Sequence, residues 1–121
     1  MIQLKRIYEP VSPDDGFRVL VDRLWPRGVS KARAAVDLWA RDVAPSTELR
    51  QWFHHEAANW DEFVLRYRQE LAANPEAVSA LREKCAGQVT TLLYGAKDEA
   101  HNQAVVLREV LQSGNSAPGA S

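Results

Sequence analysis

The run Val89–Tyr94, VTTLLY, restricts the possible folds of this chain more than any other segment. It is rich in β-branched and apolar residues and lacks the alternation of polar and apolar positions that a half-exposed strand shows. A strand without that alternation is typical of a parallel sheet with helices on both faces. The turn Gly95-Ala96-Lys97 follows it directly. The sequence therefore predicts a buried parallel strand at this position.

Two further strands are predicted in the N-terminal part of the chain. The segment Gln3–Tyr8, QLKRIY, alternates polar and apolar residues with a period of two. The segment Phe17–Asp22, FRVLVD, is richer in apolar and β-branched residues, which indicates a more central strand. Pro10, Pro13 and Gly16 lie between the two segments and predict a loop there.

The middle of the chain is predicted to be irregular at first and helical afterwards. A short helix is expected within Ser30–Ala35, with Ser30 as its N-cap, and residues 36–45 form an irregular connection. Ser46 can cap a helix over Glu48–His55.

Two longer helices are expected after residue 58. Asn59 and Glu62 have the spacing of a capping box, and a stripe of apolar residues follows them. Asn74 and Pro75 predict the cap and first residue of the next helix, which Gly87 ends in a left-handed conformation. The helix over Glu48–His55 and the helix that follows Asn59 each have an apolar face that we expect in the core. The large residues on these faces are Trp52, Trp60, Phe63, Val64, Tyr67 and Leu71.

These elements predict a single small α/β domain over residues 1–112, with a mostly parallel central sheet of three or more strands and helices packed around it. Asp98 is expected to cap a last helix of roughly 14 residues, and residues 113–121 have the composition of a flexible tail. With 121 residues, 45% of them hydrophobic, one core is expected. Cys85, the only cysteine, is predicted to be a buried packing residue.

Charge and composition argue against several classes of partner. The net charge is -1, and the basic excess of residues 1–50 is only +2, without the basic stripe of a nucleic-acid-binding protein. No apolar run approaches the roughly 18 residues that span a bilayer, so no membrane partner is expected. One cysteine and the lack of a signal-peptide pattern favour a cytoplasmic location. The oligomeric state stays open.

Polar residues follow two of the predicted strands. Ligand sites of parallel α/β sheets lie beyond the carboxyl ends of the strands, so these residues converge if the two strands are parallel neighbours. At and after the end of the predicted strand Phe17–Asp22 these residues are Asp22, Arg23, Trp25 and Arg27. At and after the end of Val89–Tyr94 they are Tyr94, Lys97, Asp98, His101 and Asn102.

An anion-binding site is the first interpretation of this set. Arginine binds carboxylate and phosphate bidentately, so Arg23 and Arg27 could form a clamp in which Asp22 holds one guanidinium. A purely structural Asp–Arg pair is the alternative for Asp22 and Arg23. Trp25 lies beside the basic loop and could stack on a base or sugar.

The turn after the third strand is the second part of the predicted site. Backbone N–H groups at the start of the last helix favour anions, and Lys97 adds a charge. The alternative role of Asp98 is N-capping alone. Asn102 could donate a hydrogen bond to the ligand or to a developing oxyanion.

Proton-transfer groups are also present in this set. Asp22, Tyr94 and His101 are the candidates for acid/base catalysis, although a lone histidine on a surface turn is usually only solvated. The run His54-His55-Glu56 lacks metal-ligand spacing, because adjacent helical residues point about 100° apart. Neither a metal nor a cofactor is predicted.

Three ordered runs resemble a known family: RVLVDRLWPRG at 18–28, APSTELRQWF at 44–53 and TLLYGAKDEAHNQAVVL at 91–107. They are similar to the DUF488 family, in its short bacterial YeaO-like branch, and the resemblance extends from about Ile7 to Leu111. It implies an α/β domain in the cytosol and assigns no catalytic role. The positions that match the family pattern are Asp22, Arg23, Trp25, Pro26, Arg27, Gly28, Pro45, Ser46, Arg50, Tyr94, Lys97 and Asn102.

Two hypotheses on function follow. The chain is either an enzyme acting on a small anionic molecule that bears a phosphate or carboxylate, or a non-catalytic module that senses such a ligand or binds a protein. The two differ in whether a proton-transfer group lies within reach of the anion site.

Overall fold

A computed structural model describes residues 1–54 and 56–113 of the chain. These residues form four strands, β1 Ile2–Arg6, β2 Phe17–Leu20, β3 Leu38–Trp39 and β4 Thr90–Tyr94, and five α-helices, α1 Lys31–Ala34, α2 Thr47–Phe53, α3 Trp60–Ala72, α4 Pro75–Cys85 and α5 Gln103–Ser113.

The four strands form one parallel sheet in the order β1-β4-β2-β3. Thr90, the first residue of β4, is in register with Ile2 of β1 on one side and with Phe17 of β2 on the other. Every residue of β4 is buried, as the uninterrupted apolar run predicts. The predicted α/β class is confirmed, and β2 and β4 are parallel neighbours, which meets the condition for the residues after them to converge.

β3 lies in the segment that was expected to be irregular. Its two residues pair with Val19 and Leu20 at the edge of the sheet. A strand of two residues is too short to show a hydrophobic period, so the sequence gives no pattern from which to predict it.

Several predicted helix ends are confirmed. The side chain of Ser30 accepts from the N–H of Arg33, and that of Ser46 accepts from the N–H of Leu49. Pro75 is the first residue of α4. Gly87, with a φ of 77°, has the predicted left-handed conformation after this helix.

Three caps differ from the prediction. Asn59 and Asn74 lie at the N-cap positions of α3 and α4, but neither side chain makes a capping hydrogen bond. Helix α5 begins at Gln103 and has 11 residues, so Asp98 precedes it by more than a turn. Instead, Oδ1 of Asn102 accepts from the N–H groups of Ala104 and Val105 and caps this helix. The helix continues to Ser113, and residues 114–121 of the predicted tail lie outside the described part.

The core lies between the sheet and the helices, with Phe63, Tyr67, Leu92 and Leu107 almost fully buried and Cys85 buried as predicted.

Trp52 departs from the predicted core. It is 38% exposed, and the guanidinium carbon of Arg66 lies 4.3 Å from the centre of its ring. Trp52 therefore packs against a charged side chain on the outside of α2 and α3.

No helix in the described residues is long and apolar enough to cross a membrane.

Candidate functional site

A cleft of about 380 Å³ lies at the carboxyl ends of β2 and β4. We call it the edge cleft, and its lining residues are Tyr8, Asp22, Leu24, Trp25, Pro26, Arg50, Gly95, Ala96, Lys97 and Gln103. Parallel pairing of β2 with β4 brings the segment that follows each strand to the same side of the sheet. The cleft therefore lies where ligand sites of parallel α/β sheets occur.

Asp22 connects three parts of the chain at this cleft. The N–H of Gly95 donates to its Oδ2 over 3.0 Å, and Nε2 of Gln103 donates to its Oδ1. Burial raises the pKa of Asp22 to about 6, although these two hydrogen bonds and the charge of Arg50 favour the ionised form. The carboxyl is therefore held in a fixed position and changes charge near neutral pH.

Arg23 does not pair with Asp22, so the predicted clamp is wrong in this respect. Its Nε donates to the carbonyl of Pro45 over 2.7 Å, and its Nη2 donates to the carbonyl of Ala44 over 3.1 Å. The guanidinium thus connects the loop after β2 to the turn before α2. The hydrogen-bonding groups of Asp22 have partners from later parts of the chain instead.

Arg27 and Trp25 have different places at the cleft. Arg27 is exposed and is not among the lining residues, while its backbone carbonyl accepts from the Tyr8 hydroxyl over 3.0 Å. The ring of Trp25 lines the cleft and meets Trp39 edge-on at 5.4 Å. Its Nε1 donates to the carbonyl of Val29. The indole of Trp25 is therefore held in place at the wall of the cleft.

The turn after β4 contributes a cation, and several N–H groups of the segment that follows it are bound by side chains. Lys97 is exposed and lines the cleft. Oδ1 of Asp98 accepts from the N–H groups of Ala100 and His101. The Asn102 side chain accepts from the N–H groups of Ala104 and Val105, so four backbone donors of this segment have side-chain partners. Asn102, which is fully buried, is therefore a structural cap and does not face a ligand.

Tyr94 and His101 lie outside the edge cleft. Tyr94 is buried in the core, and burial raises the pKa of its hydroxyl. The His101 ring meets Trp60 edge-on at 5.1 Å, and its Nδ1 lies 2.9 Å from Oδ2 of Asp98. The hydrogen bond from Ala100 and the contacts with His101 lower the pKa of Asp98. Of the three predicted proton-transfer groups, Asp22 alone lines the cleft.

Seven of the ten lining residues were missing from the predicted site, and helices supply two of them. Arg50 comes from α2, and Gln103 is the first residue of α5. Arg50 belongs to the run APSTELRQWF, so its agreement with the family pattern was the available signal. Gln103 had no such signal, because its role depends on the contact with Asp22, 81 positions away in sequence.

The metal interpretation of His54-His55-Glu56 falls partly outside the described residues, since His55 is one of those not described. Elsewhere in the described chain, no group of three or more His, Cys, Asp or Glu side chains is arranged to hold a metal ion.

Comparison with known proteins identifies the family. Residues 1–118 match the sequence model DUF488-N3i, described as "Inactive DUF488-N3 subclade". The chain is 45% identical over 112 residues to "Uncharacterized protein YeaO" of Escherichia coli (strain K12), which covers 93% of this chain and 97% of that protein. It is 43% identical over 110 residues to "Uncharacterized protein Rv3073c" of Mycobacterium tuberculosis (strain ATCC 25618 / H37Rv), covering 91% and 92% respectively. No solved structure matches the chain significantly. With a family model matching almost its whole length, the chain belongs to the DUF488 family.

Proposed function

We propose that this domain binds a small molecule bearing a phosphate or carboxylate group in the edge cleft, and that it does so without catalysing a reaction. The observation that carries the proposal is the pair of cations in the lining. Arg50 and Lys97 both line the cleft, and among the described residues neither is in direct contact with a carboxylate. Arg50 acts on the Asp22 carboxyl through its charge, but neither cation is held in a contact ion pair, so both can bind an anion in this concave site.

The non-catalytic part of the proposal has two supports. Tyr94 and His101 lie outside the lining, which leaves Asp22 as the one predicted proton-transfer group there. The subclade that the chain matches is described as inactive. A binding or sensing role needs only the cations and the shape of the cleft.

An enzyme acting on the same ligand is the second candidate, and one observation favours it. A carboxyl with a pKa of about 6, like that of Asp22, is well matched to general acid/base catalysis near neutral pH. Turnover of a bound ligand by the wild type, lost in Asp22→Asn with binding retained, would favour this candidate over the first.

Removal of the Lys97 ammonium tests the anion site. We expect inorganic phosphate, nucleotides or sugar phosphates to raise the melting temperature of the wild type. Lys97→Ala should weaken binding about tenfold or more, because a hydrogen bond to a charged group contributes about 1.5–3 kcal/mol. Titration calorimetry with the stabilising compound would measure the change.

Lys31→Ala is the matched control, since Lys31 is also an exposed lysine and lies outside the lining of the cleft. It removes the same charge from the protein and should leave the affinity within about twofold of wild type, because an exposed charge that does not line the cleft is screened by salt. Equal losses in the two variants, or the lack of stabilisation by any of these anions, would refute the proposal.

A further inference from the structure

A second cavity adjoins the edge cleft. It has a volume of about 190 Å³ and shares two lining residues, Arg50 and Gln103, with the cleft. We call it the aromatic chamber, because its other walls include Phe53 and Phe63. The two cavities therefore meet at one guanidinium and one amide.

Three of the seven residues that line the aromatic chamber are apolar, and the two phenylalanines among them are well fixed. The rings of Phe53 and Phe63 stack with their centres 4.3 Å apart, and their residues are 3% and 2% exposed. Pro45 adds another apolar wall. An apolar cavity of about 150 Å³ can hold a benzene molecule, so this chamber has room for one aromatic ring.

Charge distinguishes the two cavities. The edge cleft contains the Asp22 carboxyl beside its cations, whereas the described lining of the chamber contains no carboxyl group. The Gln103 amide, whose residue lines both cavities, is held in place by its hydrogen bond to Asp22. An anion beside Arg50 thus has an apolar space directly next to it.

We infer that the ligand is an amphipathic acid, with its carboxylate or phosphate beside Arg50 and Lys97 and one aromatic ring in the aromatic chamber. This inference rests on the proposed function and specifies the class of ligand. Binding of the ring removes its apolar surface from water, and the anion fixes its orientation. A small anion without an apolar group uses only the first of these contributions.

A series of three compounds tests the inference on the wild-type protein. Acetate carries the anion alone, phenylacetate carries the anion and a ring, and phenylacetamide carries the ring without the charge. We expect phenylacetate to bind at least about tenfold more tightly than acetate, since burial of apolar area is favourable. Nuclear Overhauser contacts should join its ring protons to Phe53 and Phe63. Titrations followed by NMR would give both results.

The outcomes separate the inference from the proposal beneath it. Equal affinities for acetate and phenylacetate, or ring contacts elsewhere on the surface, overturn the inference and leave the anion site standing. Binding of phenylacetamide as tightly as phenylacetate overturns the anion site. A lack of binding by both acids overturns the inference, and it overturns the anion site as well when inorganic phosphate and sugar phosphates also fail to stabilise the protein.

His54 allows a matched pair of variants. It lines the chamber and has a φ of 46°, in the left-handed region that favours glycine, and Ala35 has a φ of 47° at the end of α1. His54→Gly and Ala35→Gly therefore both place a glycine at a left-handed position, but only the first removes a side chain that lines the chamber. We expect His54→Gly to reduce the preference for phenylacetate over acetate about threefold or more, since it exposes the bound ring to water. Ala35→Gly should keep the wild-type preference, and equal preferences in both variants would overturn the inference.

Discussion

Asp22 illustrates, at the scale of one residue, what the sequence can and cannot predict about a site. Its position at the end of an apolar strand placed it at the ligand-binding edge of the sheet, and it lines the cleft there. Its predicted partner was its neighbour Arg23, but its hydrogen-bond partners are Gly95 and Gln103. Those contacts depend on the packing of β4 and α5 beside β2, which a local sequence pattern does not encode.

The raised pKa of Asp22 predicts a change in the pH dependence of stability when it is replaced by Asn. The folded protein holds a proton on this carboxyl up to a pH of about 6, while the unfolded chain releases it near 3.8. Asp22 therefore makes folding less favourable as the pH rises between these values, and a difference of this size corresponds to at most about 3 kcal/mol. Relative to wild type, Asp22→Asn should become more stable by up to this amount between pH 4 and pH 7. Urea denaturation at each pH would measure it, and a constant difference between the two proteins would show that Asp22 does not titrate in this way.

At the scale of elements, Gly16 allows the backbone before β2 to approach the backbone of Val89, the residue before β4. A Cβ at Gly16 would lie 2.3 Å from the carbonyl oxygen of Val89, and this carbonyl accepts from the N–H of Phe17 over 2.9 Å. Gly16 also has a φ of 64°. The close approach of the two backbones therefore needs a residue without a side chain.

Gly28 provides the comparison for a mutation at Gly16. It has a similar φ of 75°, but a Cβ there would meet no atom within 4 Å. Gly28→Ala should cost about 1 kcal/mol, from backbone conformation alone. Gly16→Ala should cost several times as much, because the clash moves β2 away from Val89 and breaks the hydrogen bond of Phe17. Chemical denaturation of both variants tests this, and similar losses of stability would show that the contact with Val89 is unimportant.

Elements with a local chemical signal were predictable, and those set by tertiary contacts were not. Ser46 caps α2 through its own side chain, and Pro75 begins α4, so both helix starts could be read from neighbouring residues. The start of α5 was predicted at Asp98, but the cap is Asn102. Asn102 is buried, whereas the Asp98 carboxylate contacts His101 in the preceding turn, and the sequence does not show this difference in burial.

At the scale of the whole molecule, a buried group of charges joins the N-terminal strands. Asp15 lies in the turn before β2 and forms ion pairs with Lys5 of β1 and Arg18 of β2. Arg18 also donates to the carbonyl of Ala34 at the end of α1. Burial opposes the charge of Asp15, but hydrogen bonds from Lys5, the N–H of Ser12 and Arg18 outweigh it and lower the pKa of the carboxyl.

The packing of the helices on the sheet limits how much of the site the sequence could predict. The edge of the sheet could be predicted, because apolar runs define β2 and β4 and parallel strands end on the same side. Arg50 reaches that edge from α2, and Gln103 from α5. Their arrival depends on how the helices cross the sheet, so the sequence predicted the place of the cleft better than its complete lining.

Loss of the Asp15 charge should destabilise the whole domain. Asp15→Asn keeps the shape of the side chain but leaves Arg18 and Lys5, with side chains 4% and 17% exposed, without their carboxylate. Removing one partner of a buried ion pair costs about 3–5 kcal/mol, whereas an exposed pair contributes only about 0–1 kcal/mol. Glu62→Gln is the matched control, since it breaks the exposed pair of Glu62 with Arg66 by the same change of carboxylate to amide. Because the pKa of Asp15 is lowered, its stabilisation is present above the unfolded pKa and is lost as the pH falls through the folded one. The difference in free energy of unfolding between wild type and Asp15→Asn, measured by urea denaturation, should therefore become smaller in acid. A difference at neutral pH as small as that caused by Glu62→Gln would mean that Lys5 and Arg18 do not need this carboxylate. The strands would then be held together by their apolar contacts alone.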